Sequence, residues 1–261
     1  MEFNPFEKEI SEKQFYEGTD YKEAKKRLEH LRNIRGIGLF TGFPGAGKTV
    51  VIRSFIHDLN PNIYKVVYIQ MTTISVNEFY RDLALGLGLV PSFRKSDNFR
   101  QIQDRIRMMY RDQKVTLLVV IDEAQYLKNE VLADLKLLMN FEMDSRNYAI
   151  MVLCGLPVLN NRITLQIHEA LRQRIVISYN YLGLDEDEVK DYIVNRMKLC
   201  GVTQPVFNDN ALGAAYGYCG GSIRKLNTLL FKSLMIGCEQ EAKEIDADII
   251  MDAVGEIDLL T

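Results

Sequence analysis

Eight consecutive residues, Gly42-Phe-Pro-Gly-Ala-Gly47-Lys48-Thr49, satisfy the spacing G-x-x-x-x-G-K-[ST] at every position. Glycines at such intervals let the backbone curl until its N–H groups converge, and a helix starting there adds the positive end of its dipole. A phosphate chain is the ligand that suits this arrangement. Lys48 would reach the β- and γ-phosphates of a nucleoside triphosphate, and the Thr49 hydroxyl would bind Mg²⁺. Gly42, Pro44, Gly45, Ala46, Gly47, Lys48, Thr49 and Val50 are therefore the candidate nucleotide-binding residues. Further on, the apolar run Leu117-Leu-Val-Val-Ile121 delivers two adjacent carboxylates, Asp122 and Glu123. Asp122 would hold the Mg²⁺, and Glu123 would orient and deprotonate a water as general base. An Asp-Glu pair after a strand is more often a helix cap; the glycine loop in the same chain turns the balance toward catalysis.

These residues need a sheet to carry them. Ile37–Thr41 reads as a short strand running into the glycine loop. A helix follows from near Lys48, with Val51, Ile52 and Phe55 on one face, until Asn60-Pro61-Asn62 breaks it. Further strands are expected at Lys65–Gln70, Val115–Ile121, Tyr148–Cys154 and near Ile175–Ser178. Helices are expected at Asp20–Arg35, Val76–Leu87, Asn98–Arg111 and Val131–Glu142. Asp20 and Glu23 are spaced as a capping box for the first helix. The run at Val115–Ile121 is apolar on both faces, as parallel strands are. From Asp185 the pattern is helical throughout: Asp185–Cys200, Asn208–Tyr218, Ile223–Cys238 and Asp246–Val254. The expected fold is α/β, a parallel sheet flanked by helices and followed by a small all-helical domain. Its parts are an N-terminal segment and first helix over 1–35, an α/β core over 36–180 and a helical domain over 181–261.

Bulk composition fits a globular protein: 261 residues, 47% apolar and 26% charged. The opening Met1-Glu-Phe-Asn-Pro-Phe-Glu lacks the basic and apolar regions of a signal peptide, and no apolar run spans a bilayer. A cytoplasmic protein without a membrane association is expected. Four scattered cysteines and three histidines argue against a metal cluster or a disulfide framework.

Taken together, these motifs resemble the AAA+ superfamily of phosphate-loop ATPases, and within it the branch of the secretion ATPase ExeA and the transposition ATPases TniB, TnsC and IstB. The similarity extends through Asn4-Pro5-Phe6, Phe15-Tyr16, Val120-Ile-Asp-Glu-Ala-Gln125, Leu153-Cys-Gly-Leu-Pro157, Leu171-Arg-Gln-Arg-Ile175 and Gly220-Gly-Ser-Ile-Arg224-Lys-Leu-Asn227. The resemblance implies ATP with Mg²⁺ as cofactors and hydrolysis to ADP and phosphate. It implies a helical lid, and an arginine finger at Arg172 or Arg174 that enters the neighbouring subunit's site; the Arg-x-Arg pattern favours Arg174. Arg224 matches a lid arginine that reaches the nucleotide of its own subunit. One departure stands out. The fourth strand of such ATPases usually ends in a polar first sensor, and here it ends in Cys154-Gly155, neither a strong donor. Slow hydrolysis, stimulated by DNA or a partner, would follow. Asn160, Asn161, Gln70 and Gln125 are polar candidates to take over.

Between Arg94 and Lys114 lie seven basic and three acidic residues in a chain of net charge −3. Arg100, Arg107 and Arg111 recur at roughly helical spacing, with Arg94-Lys95 in a loop before them. Arg94, Lys95, Arg100 and Arg107 are candidate DNA contacts; a solvated helix face is the competing reading. Lys22, Lys25, Lys26 and Arg27 read as a solvated face, with a subunit contact as the competing reading. The resemblance then implies a homo-oligomeric ring or filament that assembles on duplex DNA with ATP and selects target DNA for a partner transposase. Secretion ATPases of this branch carry a membrane span and a cell-wall-binding part, and the sequence to Thr261 contains neither. An ExeA-like secretion ATPase and a DnaC-like helicase loader are the alternatives.

Overall fold

The computed structural model describes residues 4–6, 14–142 and 146–259. Residues 1–3 and 7 of the acidic opening lie outside that description. The chain divides into two compact units, one of Ala24–Gly42 and Val51–Asn180, the other of Met1–Glu23, Phe43–Val50 and Tyr181–Thr261.

The first unit holds a five-stranded parallel sheet. Its strands are β1 (Gly36–Gly42), β2 (Tyr64–Ile69), β3 (Thr116–Ile121), β4 (Ala149–Gly155) and β5 (Ile175–Tyr181). They lie in the order β2-β3-β4-β1-β5. The three central strands are buried at every residue, whereas β2 and β5 alternate buried and exposed positions as edge strands must. Packed on the sheet or joining its strands are α1 (Thr19–Ile34), α2 (Lys48–His57), α3 (Val76–Gly86), α4 (Lys95–Arg111), α5 (Asn129–Leu138), α6 (Val158–Ile163) and α7 (Glu169–Arg172). The second unit is helical: α8 (Glu186–Leu199), α9 (Asp209–Cys219), α10 (Ile223–Glu239) and α11 (Ala247–Asp258) bury Val189, Leu212, Leu229, Leu230 and Ile250 together. Tyr16 stacks edge-on against Tyr192, and Phe6 against Phe207, so the N-terminal segment belongs to this helical core. Among the described residues no helix is long and apolar enough to cross a membrane.

Three helix boundaries differ from the sequence reading for reasons that their side chains show. Asp20 is not a cap, because α1 already begins at Thr19; its carboxylate instead accepts the backbone N–H groups of Leu182 and Gly183, each at 2.8 Å. The helix α4 starts three residues early, since buried Asn98 ties its side chain to Ser92 N and O at 2.6 and 2.9 Å and secures the first turn. The helix α5 stops at Leu138 rather than residue 142. Buried Gln103 donates from Nε2 to the carbonyls of Leu137, Leu138 and Asn140 (3.3, 3.0 and 3.2 Å), satisfying the acceptors that a longer helix would have used.

Candidate active site

The register of the sheet sets Thr41 of β1 beside Gly155 of β4, and Leu153 of β4 beside Ile121 of β3. Gly42, Asp122 and Leu156 therefore leave the sheet at one carboxyl edge, where open α/β sheets take their ligands. Asp122 is half-buried. Its N–H donates to Ile69 O (3.1 Å), its Oδ1 accepts from Glu123 N (2.9 Å), and its Oδ2 accepts from the Tyr68 hydroxyl (2.5 Å). Burial first, and then the Asp122 carboxylate beside it, push the Tyr68 phenol well above its ordinary range, so it remains a donor. Glu123 adopts a left-handed conformation (φ 50°, ψ 37°) that turns the chain directly after β3 into a 3₁₀ turn at Ala124–Tyr126. Such a conformation costs a non-glycine residue about 1–2 kcal/mol. It is braced by Thr72, whose Oγ1 donates to Glu123 O at 3.1 Å, while the exposed carboxylate accepts from Gln125 Nε2.

Of the candidates for a missing first sensor, Asn160 is committed next to the loop. Its Nδ2 donates to Thr41 Oγ1 (2.8 Å), and that hydroxyl donates to Asn180 Oδ1 (3.1 Å), joining α6, β1 and β5 one residue before Gly42. Gln125 reaches both Glu123 and the end of β4, its Oε1 accepting from Leu156 N at 3.0 Å. Gln70 and Asn161 are exposed.

In the helical unit, residues 43–50 pack on the first turn of α10. Ile223 N donates to Gly45 O and Ser222 Oγ donates to Pro44 O, both at 3.0 Å. Gly45 has φ +80°, and a Cβ there would stand 2.4 Å from Ser222 Oγ and 2.8 Å from Arg224 Cβ. The Cβ and backbone N–H of Arg224 thus lie against the glycine loop. Gly183 and Gly221 secure this approach from behind: each has a positive φ, and Leu184 N donates to Gly221 O at 3.0 Å. Lys48 is 8% exposed, and its Nζ donates to Phe43 O at 2.9 Å.

Arg172 and Arg174 lie elsewhere. The Thr41–Asn180 bond and the contact of Gly36 with Val176 show β5 running alongside β1 in the same direction. Six residues separate Arg174 from Asn180, about 20 Å at strand spacing. Both arginines are therefore at the edge opposite Gly42 and Asp122. Behind them lies a set of contacts that sequence reasoning missed. Arg162 donates to Gln125 O (2.5 Å), Leu127 O (2.7 Å) and Asn129 Oδ1 (2.7 Å). Buried His168, just before α7, reaches the same Asn129 Oδ1 from Nε2 at 3.2 Å. That oxygen only accepts, so Nε2 carries the proton. Burial and then Arg162 lower the His168 pKa.

The basic region is only partly available. Lys95 pairs with Asp134 of α5 at 2.5 Å, and Arg107 with Asp104 and Gln103 at 2.9 and 2.7 Å. Arg111 pairs with Glu142 and with Tyr148 OH. Arg94 and Arg100 are exposed. In the presumed solvated face of α1, Lys25 pairs with Asp58 at 2.8 Å and Arg27 lies over the Tyr179 ring.

Comparison with known proteins agrees with this architecture. The chain is 28% identical over 235 residues to general secretion pathway protein A of Aeromonas hydrophila, covering 88% of this chain and 42% of that protein. The Aeropyrum pernix ORC2 protein, solved as ADPNP–ADP complexes, superimposes with a TM-score of 0.68 at 16% identity, over 97% of this chain and 71% of that one. The Aeropyrum pernix ORC1 protein in complex with DNA gives 0.65 at 14% identity, over 93% and 65%. The model of the AAA domain matches residues 32–163, just over half of the chain, and the chain belongs to that family.

Proposed function

We propose that this protein hydrolyses ATP at the Gly42–Thr49 loop and that its ATP-bound copies assemble on duplex DNA. Support for hydrolysis comes from the shared edge at which β1 runs into the loop and β3 presents Asp122 and Glu123. The two motifs supply hard oxygen donors, the Thr49 hydroxyl and the Asp122 carboxylate, which suit Mg²⁺; the ion would neutralise the phosphate oxygens. Lys48 binds the β- and γ-phosphates and Arg224 the nucleotide of its own subunit. Glu123 accepts a proton from water as the water oxygen bonds to the γ-phosphorus. The bond from that phosphorus to the bridging oxygen breaks, and its electron pair leaves with ADP.

The observation that carries assembly is the placement of Arg174, just before β5 and about 20 Å from its carboxyl edge, with Arg172 ahead of it at the end of α7. An arginine there cannot serve its own subunit's edge, but it can complete a neighbour's. Each site then binds ATP best in the assembled state, so ATP favours a ring or filament. Arg94 and Arg100 are exposed cations of the basic region and contact the phosphate backbone rather than bases. From its resemblance to the transposition ATPases, the assembly marks target DNA and activates a partner transposase. The similarity to general secretion pathway protein A favours a second reading, a secretion-associated assembly ATPase.

Sedimentation with duplex DNA under four conditions (ATP, a non-hydrolysable analogue, ADP and no nucleotide) separates the two. Large complexes formed only with ATP or the analogue support assembly on DNA. ATP binding and assembly without any DNA binding move the secretion reading to the front.

A further inference from the structure

The carboxyl end of β4 is closed by a glycine, and the space beside it is filled by a side chain from the 3₁₀ turn that follows β3. A Cβ built on Gly155 would stand 2.5 Å from Gln125 Oε1, closer than such atoms come, and a tight 3.3 Å from Gln125 N. The amide of Gln125 thus occupies the place that a side chain at position 155 would take. Gln125 is 6% exposed. Its Oε1 accepts from Leu156 N, its backbone carbonyl accepts from Arg162, and its Nε2 donates to Glu123 Oε2. A buried amide clamped at its carbonyl end therefore aims its N–H at an exposed carboxylate.

We infer that Gln125 is the positioning residue of Glu123, entering from the turn after β3 through the gap left by Gly155 and replacing the polar side chain absent from β4. The inference rests on the assignment of Glu123 as general base. A free glutamate samples many rotamers, and fixing it costs side-chain entropy. Gln125 holds one carboxylate oxygen, Oε2, and leaves Oε1 to take the proton of the attacking water. Preset geometry of this kind lowers the barrier without strengthening nucleotide binding. Gly155 is required because any larger residue expels the amide.

The test is ATP turnover and nucleotide affinity in Gln125→Ala, Gln125→Glu, Gly155→Ala, Glu123→Gln and the Glu123→Gln/Gln125→Ala double variant. Gln125→Glu keeps the size and the acceptor for Leu156 N but removes the donor, so it controls for a folding defect in Gln125→Ala. Each single change at 125 or 155 should lower kcat on the order of 10- to 100-fold, with KM and nucleotide affinity within about twofold of wild type. In the Glu123→Gln background, Gln125→Ala should have no further effect, because a residue that acts through Glu123 has nothing left to act on. Unchanged kcat in Gln125→Glu overturns the inference, as does an equal further loss in the Glu123→Gln background. If Glu123→Gln itself turns over like wild type, the reading of Glu123 has failed, and that of Gln125 with it.

Discussion

Gly45→Ala puts a number on the contact between the glycine loop and the first turn of α10. Two costs can be worked out separately. At φ +80° an alanine sits in the left-handed region, at about 1–2 kcal/mol. Its methyl would also stand 2.4 Å from Ser222 Oγ and 2.8 Å from Arg224 Cβ, and 3.2 Å from Arg224 N. Crowding of that degree typically adds about 1–3 kcal/mol. The Arg224 contact is with the base of the side chain and with backbone, which cannot swing aside. The sum is about 2–5 kcal/mol. Gly88→Ala is the internal control, because Gly88 has φ +74° with nothing within 4 Å of a built Cβ, and so bears the conformational cost alone. Urea unfolding of both variants without nucleotide reads the difference, which should be about 1–3 kcal/mol to the disadvantage of Gly45→Ala. ATP titration should show weakened binding in Gly45→Ala and little change in Gly88→Ala. Equal destabilisation of the two variants would refute the packing of α10 on the loop.

Four further outcomes are expected. Lys48→Ala should abolish ATP binding in equilibrium dialysis and, with it, assembly; retained affinity would remove the phosphate-loop assignment. Tyr68→Phe removes the hydroxyl that donates to Asp122. With Tyr68 36% exposed, a charge-assisted bond is discounted to about 1 kcal/mol, and the Mg²⁺ concentration for half-maximal turnover should rise about fivefold. His168 has a lowered pKa in the folded chain, so the unfolded chain takes the proton first and stability falls as pH drops through about 6.5. Melting temperature should therefore fall more between pH 7.5 and 5.5 in wild type than in His168→Gln; parallel curves would show that His168 is not buried neutral. Arg94→Glu/Arg100→Glu should weaken duplex-DNA binding at fixed salt and reduce the slope of log affinity against log salt by about 2, with ATP affinity unchanged. An unaltered slope would make this face a solvated one.

The sequence made the sheet legible because its strands are short apolar runs bounded by glycine, proline and charge, and all five appeared within a residue or three of where the pattern put them. The glycine loop was legible because phosphate chemistry demands those residue types at fixed spacing. What escaped were choices made by contacts distant in sequence. Gln103 ends α5 from 34–37 residues away, and Asp20 spends its carboxylate on Leu182 and Gly183 rather than on its own helix. The helices α6 and α7 have six and four residues, too few for periodicity to register. Tyr68 gave no local sign of its role, since only the pairing of β2 with β3 brings it to Asp122. In the basic stripe, charge counts show where cations are, but not that Lys95, Arg107 and Arg111 already have carboxylate partners.

The guanidinium of Arg162 works as a mechanical strut. Its Nη1 is held by the carbonyl of Gln125, and its Nη2 by the carbonyl of Leu127 and, through Asn129, by the histidine that opens the arginine-bearing segment. A pull on Arg172 or Arg174 is therefore carried by a rigid planar fork and not by a compliant loop. Lysine at position 162 would have the charge but not the fork, and the load would pass into slack chain.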